Sequence, residues 1–342
     1  MTSYFIRRFL LIIPTFFGIT LITFLILQIV PGGPLETAIL KMRMGGDRGS
    51  ESGSNSGKTQ NIPQTAIDEL NKFYGFDKPI HERYLIWVGN LLKFDLGKSY
   101  VYQEPVLDVI TSRFPISIYF GLIGFFLTYI VCIPLGVYKA VKNGSSFDIV
   151  TSILVFIGRS IPAFAFGAMM LVLFGGGSFW DVFPLGGFRS SDYESLSFFG
   201  KIWDQLHHTF LPVLSYMIGN FAVLTILTKN SVIENLSQDY IRTAFSKGLS
   251  EKRVIFGHAL RNSLIPIATG LGSAISLILA GSILIEKVFN INGIGLLSYD
   301  SIVQRDYPVV MGILVISTLL LLIGNIISDM IYAFVDPRIR FK

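Results

Sequence analysis

The sequence predicts an all-α, polytopic membrane protein with six transmembrane helices. Composition is the first reason: 51% of the 342 residues are hydrophobic and only 15% are charged, against roughly 25% charged residues in soluble domains. Arrangement is the second, because the apolar residues gather into windows of about 20, the length a helix needs to cross a bilayer. Backbone groups in lipid must be satisfied internally, so continuous spans of this length are helices and not barrel strands. The third reason is a bias of Lys and Arg toward alternate connections, which also sets the orientation.

The first window, Phe9–Val30, follows Arg7 and Arg8. It exceeds the roughly 7–15 apolar residues of a secretory leader and ends in Val30-Pro31-Gly32-Gly33-Pro34 without a small-residue cleavage site. It is expected to remain as an anchor. A long connection, 31–115, comes next. Its stretch 45–57 is Gly/Ser-rich and reads as a flexible linker. From Pro63 to Arg113 the composition turns helix-compatible, with Tyr74, Phe76, Tyr84, Trp87 and Phe94, and predicts a small folded subdomain.

The second and third windows are Ile116–Tyr138 and Ile149–Gly175. The connection Gly176–His208 then carries Trp180, Phe183, Tyr193 and Trp203, an interfacial aromatic set. The last three windows are Thr209–Thr228, Leu264–Ile285 and Val309–Phe334. Pro14, Pro134, Pro162, Pro212 and Pro266 fall inside or at the ends of windows, where neighbouring groups cover the carbonyls that a kink frees.

Basic residues concentrate in the ends and loops that an inside N-terminus would leave in the cytoplasm. These are Arg7 and Arg8, Lys139 and Lys142, Lys229 through Arg261, and Arg338, Arg340 and Lys342. Both termini are therefore expected inside, and the +5 net charge reflects this bias and not nucleic-acid binding. The organisation is an N-terminal start and first span (1–30), an outside loop (31–115) and a five-helix core (116–342) holding a polar segment at 229–263. A single cysteine, Cys132, allows no internal disulfide and no thiolate cluster.

Motifs for chemistry are weak. Gly57-Lys58-Thr59 imitates a phosphate-binding loop, but Ser52 stands where the pattern needs its first glycine and no apolar strand precedes it. His207 and His208 are adjacent and do not share a helix face, so they read as an interfacial pair. No cofactor, metal or enzymatic activity, ATP hydrolysis included, is expected of this chain. Arg159 sits about ten residues, or roughly 15 Å, from the inner face. Intramembrane charge marks pathways, so Arg159 is a candidate translocation residue; pairing with Asp329 or a carbonyl at Pro162 is the equal alternative.

The segment between the fourth and fifth windows is the most informative. Ser237-Gln238-Asp239 offers N-cap chemistry; Tyr240–Lys247 is helix-compatible, Gly248 breaks it, and Ser250-Glu251-Lys252-Arg253 starts a second helix. It is too polar for lipid and too patterned for slack loop. Ala244, four before Gly248, keeps the turn thin enough for a partner's groove. The other reading, an amphipathic helix on the lipid surface, wants a larger apolar stripe than Ile241, Ala244, Phe245 and Leu249 provide.

Here the residues resemble a family. Thr243-Ala244-x-x-x-Gly248, followed by His258-Ala259-Leu260-Arg261-Asn262 and Pro266, is similar to the EAA loop of ABC-importer permeases of the oligopeptide/dipeptide branch. Ile6-Arg7-Arg8-Phe9-Leu10, Tyr74-Gly75-Phe76-Asp77-Lys78-Pro79, Phe94 to Ser99, Phe289 to Leu296 and Asp336-Pro337-Arg338-Ile339 resemble further signatures of that branch. Arg242 replaces the loop's usual glutamate, and Phe245 a frequent basic residue.

The resemblance implies a type I importer permease in the bacterial inner membrane that moves oligopeptides, peptide antibiotics of the microcin C type among them. It implies a second permease subunit, two cytoplasmic ATP-binding domains and a periplasmic peptide-binding protein as partners, beside membrane lipid. Tyr240, Arg242, Thr243, Ala244, Lys247, Gly248, Leu249 and His258 would couple the chain to its ATPase. A stand-alone secondary transporter is the competing reading. It would favour ionisable residues in several spans and often an internal repeat, neither of which stands out here.

Overall fold

The structure is a computed structural model describing residues 2–45, 63–177, 179–269 and 281–335. The Gly/Ser-rich stretch beyond Gly45, the Ser52–Thr59 motif, residues 270–280 of the fifth window and the closing Asp336-Pro337-Arg338-Ile339 lie outside the described residues. What is described is helical, without a strand; two isolated bridges, Lys98 with Pro105 and Gly175 with Phe183, are its only β pairings.

The helices are α1 (Thr2–Ile29), α2 (Pro34–Gly45), α3 (Gln64–Tyr74), α4 (Ile80–Leu91), α5 (Val106–Thr111), α6 (Phe114–Val141), α7 (Ser146–Ser160) and α8 (Ala163–Phe174). Then come α9 (Phe198–Leu236), α10 (Asp239–Ser246), α11 (Glu251–Val254), a π-helical turn (Ile255–Ala259), α12 (Leu260–Ser263) and α13 (Ile265–Thr269). After the undescribed gap follow α14 (Ile283–Val288), α15 (Ile294–Val303) and α16 (Tyr307–Val335).

Among the described residues four stretches are long and apolar enough to cross a bilayer: Ile6–Leu40, Val106–Val141, Phe198–Leu236 and Tyr307–Met330. Pro14, Pro134 and Pro212 sit inside α1, α6 and α9 without ending them. The third window departs from the expectation of one continuous span. It breaks after Ser160, and α7 and α8 meet at 96°; together they make a fifth crossing if counted as one broken span. Pro162 is the cause, because proline excludes the residue before it from helical geometry: Ile161 is extended at ψ 122° and Pro162 becomes the N-cap of α8.

The chain forms two compact units. One comprises Met1–Leu10, Arg113–Leu297 and Leu319–Lys342; the other, Leu11–Ser112 and Ser298–Thr318. In the first, α6 lies along α9. Phe120, Leu211, Val213, Met217, Ile285, Phe289 and Ile291 form its apolar centre. The helices touch backbone to side chain at Gly136, where an added Cβ would lie 2.6 Å from Thr228 Cβ and 2.8 Å from the Thr225 carbonyl oxygen. Beside them Glu286, fully buried, accepts from Ser117 Oγ and from the Leu296 amide, both at 2.9 Å, while Ser117 Oγ accepts from the Ile294 amide at 2.8 Å. These bonds hold the Phe289-to-Leu296 turn.

In the second unit, buried Asp306 gathers the turn after Gly97. It accepts from Ser99 Oγ at 2.5 Å, from the Tyr100 amide at 3.0 Å and from the Val101 amide at 3.2 Å. Thr20 and Tyr84 share a hydrogen bond of 3.1 Å, so α4 packs on α1.

Two alanine substitutions separate contact from propensity. Gly89 has nothing within 4 Å of an added Cβ, so Gly89→Ala should be neutral or stabilising by up to about 1 kcal/mol. Gly136→Ala should destabilise by about 1–3 kcal/mol through overpacking. Thermal unfolding in detergent compares the two, and equal shifts would refute the close α6–α9 approach.

Candidate functional site

The polar segment folds as a self-supported elbow at the end of α9. Its first arm, α10, has Gln238 as N-cap without a side-chain bond, so the capping expected from Ser237 or Asp239 is not used in that way. Asp239 is instead the first residue of the helix, where a carboxylate faces the positive end of the dipole, and it pairs with Arg242 at 3.4 Å. Tyr240 Oη donates to Asn235 Oδ1 at 2.7 Å, tying the arm back to α9.

α10 ends at a left-handed glycine. Gly248 has φ +76° and open space around it, and the Leu249 amide reaches the Ala244 carbonyl at 3.4 Å, the six-to-one bond of a Schellman ending. Ser250 then caps α11 with its backbone position alone, and Glu251 lies in the first turn. The second arm runs on through the π turn into α12. Ser231 Oγ donates to the Ser263 carbonyl at 3.0 Å and Ser263 Oγ to the Ser231 carbonyl at 3.1 Å. This reciprocal clasp closes the elbow on α9.

One small core stiffens the two arms: Ile241, Ala244, Val254 and Ala259, with Leu236 and Leu249 against it. This corrects the reading of Ala244. It is 7% exposed and faces its own chain, so its small size lets the two arms pack and does not thin the turn for a partner. Leu249 is half-buried for the same reason. Tyr240, Arg242, Thr243, Lys247, Gly248 and His258 are exposed, as are Phe245 and Phe256 at 46% and 56%. The outer face is therefore basic with aromatic rings left in the open.

Beneath the elbow lies a charge cluster that the sequence reading passed over. Lys139, taken for a loop cation, continues α6 and is fully buried. Its Nζ lies 3.1 Å from Asp148 Oδ1 and donates to the Asp148 carbonyl, Thr151 Oγ1 and Ser152 Oγ at 2.9, 2.6 and 2.8 Å. Lys229 of α9 reaches both Asp148 oxygens, at 2.8 and 2.7 Å. One aspartate thus joins α6, α7 and α9.

Arg159 stands apart from these residues. It is exposed in the last turn of α7, where a cation suits the negative helix end, and among the described residues it has no hydrogen bond or ion pair. The partner proposed for it is taken, since Asp329 pairs with Arg8. The two histidines also differ. His208 is buried against Ser190 Oγ at 3.1 Å and the Gly187 carbonyl at 3.2 Å, whereas His207 is half-buried, bonds the Val182 carbonyl and stacks on Trp203. No group of metal-ligating side chains forms among the described residues.

Residues 132–341, which include the whole elbow, match the description "Binding-protein-dependent transport system inner membrane component". The chain belongs to this family. The resemblance read from the elbow is thereby borne out. Over its whole length the chain is 44% identical to all of the inner membrane ABC transporter permease protein YejB of Escherichia coli O157:H7. It is 40% identical over its whole length to 99% of the peptidoglycan transport system permease protein YejB of Agrobacterium fabrum. The oligopeptide transport system permease protein AppB of Bacillus subtilis is 36% identical, with both chains fully covered. The chain is thus a membrane-spanning permease of the ABC-importer family.

The charge cluster generates a non-additive prediction. Lys139→Met leaves Asp148 paired with Lys229 and should cost about 1–3 kcal/mol for the acceptors it strands. Lys229→Met should cost less, as Lys229 is partly exposed. Together they leave Asp148 without a cation, so the double variant should lose more than the sum, measured by thermal unfolding of the purified protein; simple additivity would refute the shared-aspartate account.

Proposed function

We propose that this chain is one of two membrane-spanning permease subunits of an ATP-driven oligopeptide importer in the bacterial inner membrane. Six spans, both termini in the cytoplasm and a small periplasmic subdomain within 31–115 complete the reading, with 1–30 as entry span and 116–342 as permease core. The observation that carries it is the elbow. Its aliphatic residues and Ala244 are spent on its own core, which leaves a rigid body with an outward face of Tyr240, Arg242, Thr243, Phe245, Lys247 and His258.

A rigid body of that kind transmits force when another protein grips it. Two cytoplasmic ATPase subunits supply the grip, one for each permease of the pair. Closure of the ATPases on ATP displaces the elbows, and the Ser231–Ser263 clasp passes the displacement into α9. A periplasmic binding protein delivers the peptide at the other face. Arg159 is held for the translocation pathway, where an exposed guanidinium attracts a carboxylate. The relatives' names, oligopeptide and peptidoglycan transport, support peptide cargo, and peptide antibiotics of the microcin C type would share the route. Nothing favours a stand-alone secondary transporter: buried Lys139 and Asp148 satisfy one another, and buried Glu286 is satisfied by the Ser117 hydroxyl and the Leu296 amide.

ATP-driven uptake of labelled short peptides into vesicles containing the assembled importer tests the proposal. Gly248→Pro, which cannot adopt φ +76°, should abolish uptake while the subunit stays in the membrane. Arg242→Ala with Phe245→Ala should reduce co-purification of the ATPase subunits several-fold without lowering thermal stability, because both side chains are exposed. Full uptake by Gly248→Pro would defeat the lever mechanism.

A further inference from the structure

The second unit contains a half-open cavity of about 650 Å³ that the coupling mechanism does not use, within the roughly 300–1,000 Å³ of small-molecule sites. Phe24 and Leu27 near the end of α1, Ile86 and Trp87 of α4 and Met311 near the start of α16 give it an apolar wall. Its polar lining is unbalanced. Lys72, Lys78, Arg83 and Lys98 outnumber Asp77 and Asp95, and Asp95 already accepts from the Gly97 amide at 2.8 Å. None of the four cations forms an ion pair among the described residues. Arg83 is fixed by neutral groups: it donates to Gln28 Oε1 and lies over the Phe76 ring at 4.4 Å. A guanidinium carries five N–H donors, so most of this one is uncommitted.

The cavity stands at bilayer level. Tyr84 Oη lies 3.1 Å from Thr20 Oγ1 and 3.3 Å from the Phe17 carbonyl. Thr20 comes about ten residues, roughly 15 Å, before the end of its apolar window, so α4 lies alongside the membrane-crossing part of α1 and not beyond it. On α4 and just after it, Leu85, Leu92 and Phe94 are 65%, 73% and 87% exposed. Phe94 is held out on a left-handed backbone at φ +61°, a conformation that a bulky residue rarely adopts. Apolar side chains in this position are covered by the headgroup and acyl boundary of a bilayer. A cation-rich recess walled by the ends of two spans calls for an amphiphile, with an anionic head for the basic residues and acyl chains for the apolar wall.

We propose that this cavity holds the phosphate of an anionic phospholipid, drawn from the leaflet in which α1 ends and α16 begins. Arg83 is the fixed donor, the three lysines complete the charge, and the acyl chains run out beside Phe24, Leu27 and Met311. A half-open site suits a ligand of which only the head is enclosed. The inference needs only that the chain spans a membrane and is independent of the cargo.

The test reconstitutes the full chain into phosphatidylcholine vesicles, with Trp180→Phe and Trp203→Phe so that Trp87 is the sole tryptophan. Quenching of Trp87 by phosphatidylglycerol with brominated acyl chains is compared with quenching by phosphatidylcholine brominated in the same way. The anionic lipid should be preferred by at least about tenfold, and Arg83→Gln should lower that preference about fivefold. Arg83→Lys should keep most of it. Lys72→Gln with Lys78→Gln and Lys98→Gln should lower it at least as far without changing thermal unfolding, because all three side chains are exposed. Lys142→Gln, the same loss of charge outside the cavity, should leave it intact. Equal quenching by the two lipids, or a preference that survives both sets of cavity substitutions, would overturn the proposal. So would displacement of the brominated lipid by inorganic phosphate, the mark of a free-anion site, or by Ala-Ala-Phe, the mark of a peptide site.

Discussion

The close contact of α6 with α9 is the constraint on which the first unit depends. α9 is 39 residues long, more than the roughly 20 needed to span a bilayer, so it carries the packing of the core and the elbow on one rod. Gly136 brings the α6 backbone against Thr225 and Thr228. A few residues further along α6, Lys139 reaches Asp148 of α7, which Lys229 of α9 holds from the other side. Apolar contact alone would let these helices slide. The aspartate shared between two lysines fixes their register, a use of buried charge that need not add stability.

The elbow is rigid by the same economy. Its small apolar residues meet one another, its hydroxyls bond its own carbonyls, and the serine clasp returns the chain to α9 within the first unit. What it shows to solvent is what its own fold does not use. A segment folded on its own terms has little ordering entropy to lose when a partner arrives, which suits the coupling role proposed for it.

Much of this was legible in the sequence. Apolar windows locate α1, α6, α9 and α16 because a bilayer imposes length and composition together. Gly248 was readable as a break because few residues other than glycine accept a left-handed turn. The family signatures around the elbow carried the recognition. Three features were less accessible. Lys139 looked like a loop residue because a hydropathy window closes at the first cation, although the helix goes on. Ala244 was assigned outward on size alone; its spacing from Ile241, three residues earlier on the same helix face, held the better clue. Glu286 accepts from groups as distant in sequence as Ser117, and no local pattern announces such a partner. Pro162 did announce a bend, but its angle depends on how both flanking helices pack.

That bend has a consequence for assembly. At the 96° corner between α7 and α8, the last carbonyls of one helix and the first amides of the next lack intrahelical partners, and a guanidinium sits at the same corner. Hydrocarbon offers such groups nothing, so irregular backbone at membrane depth survives only against protein or water. In the proposed importer, a companion chain or a water-filled passage is what would meet those groups in place of hydrocarbon.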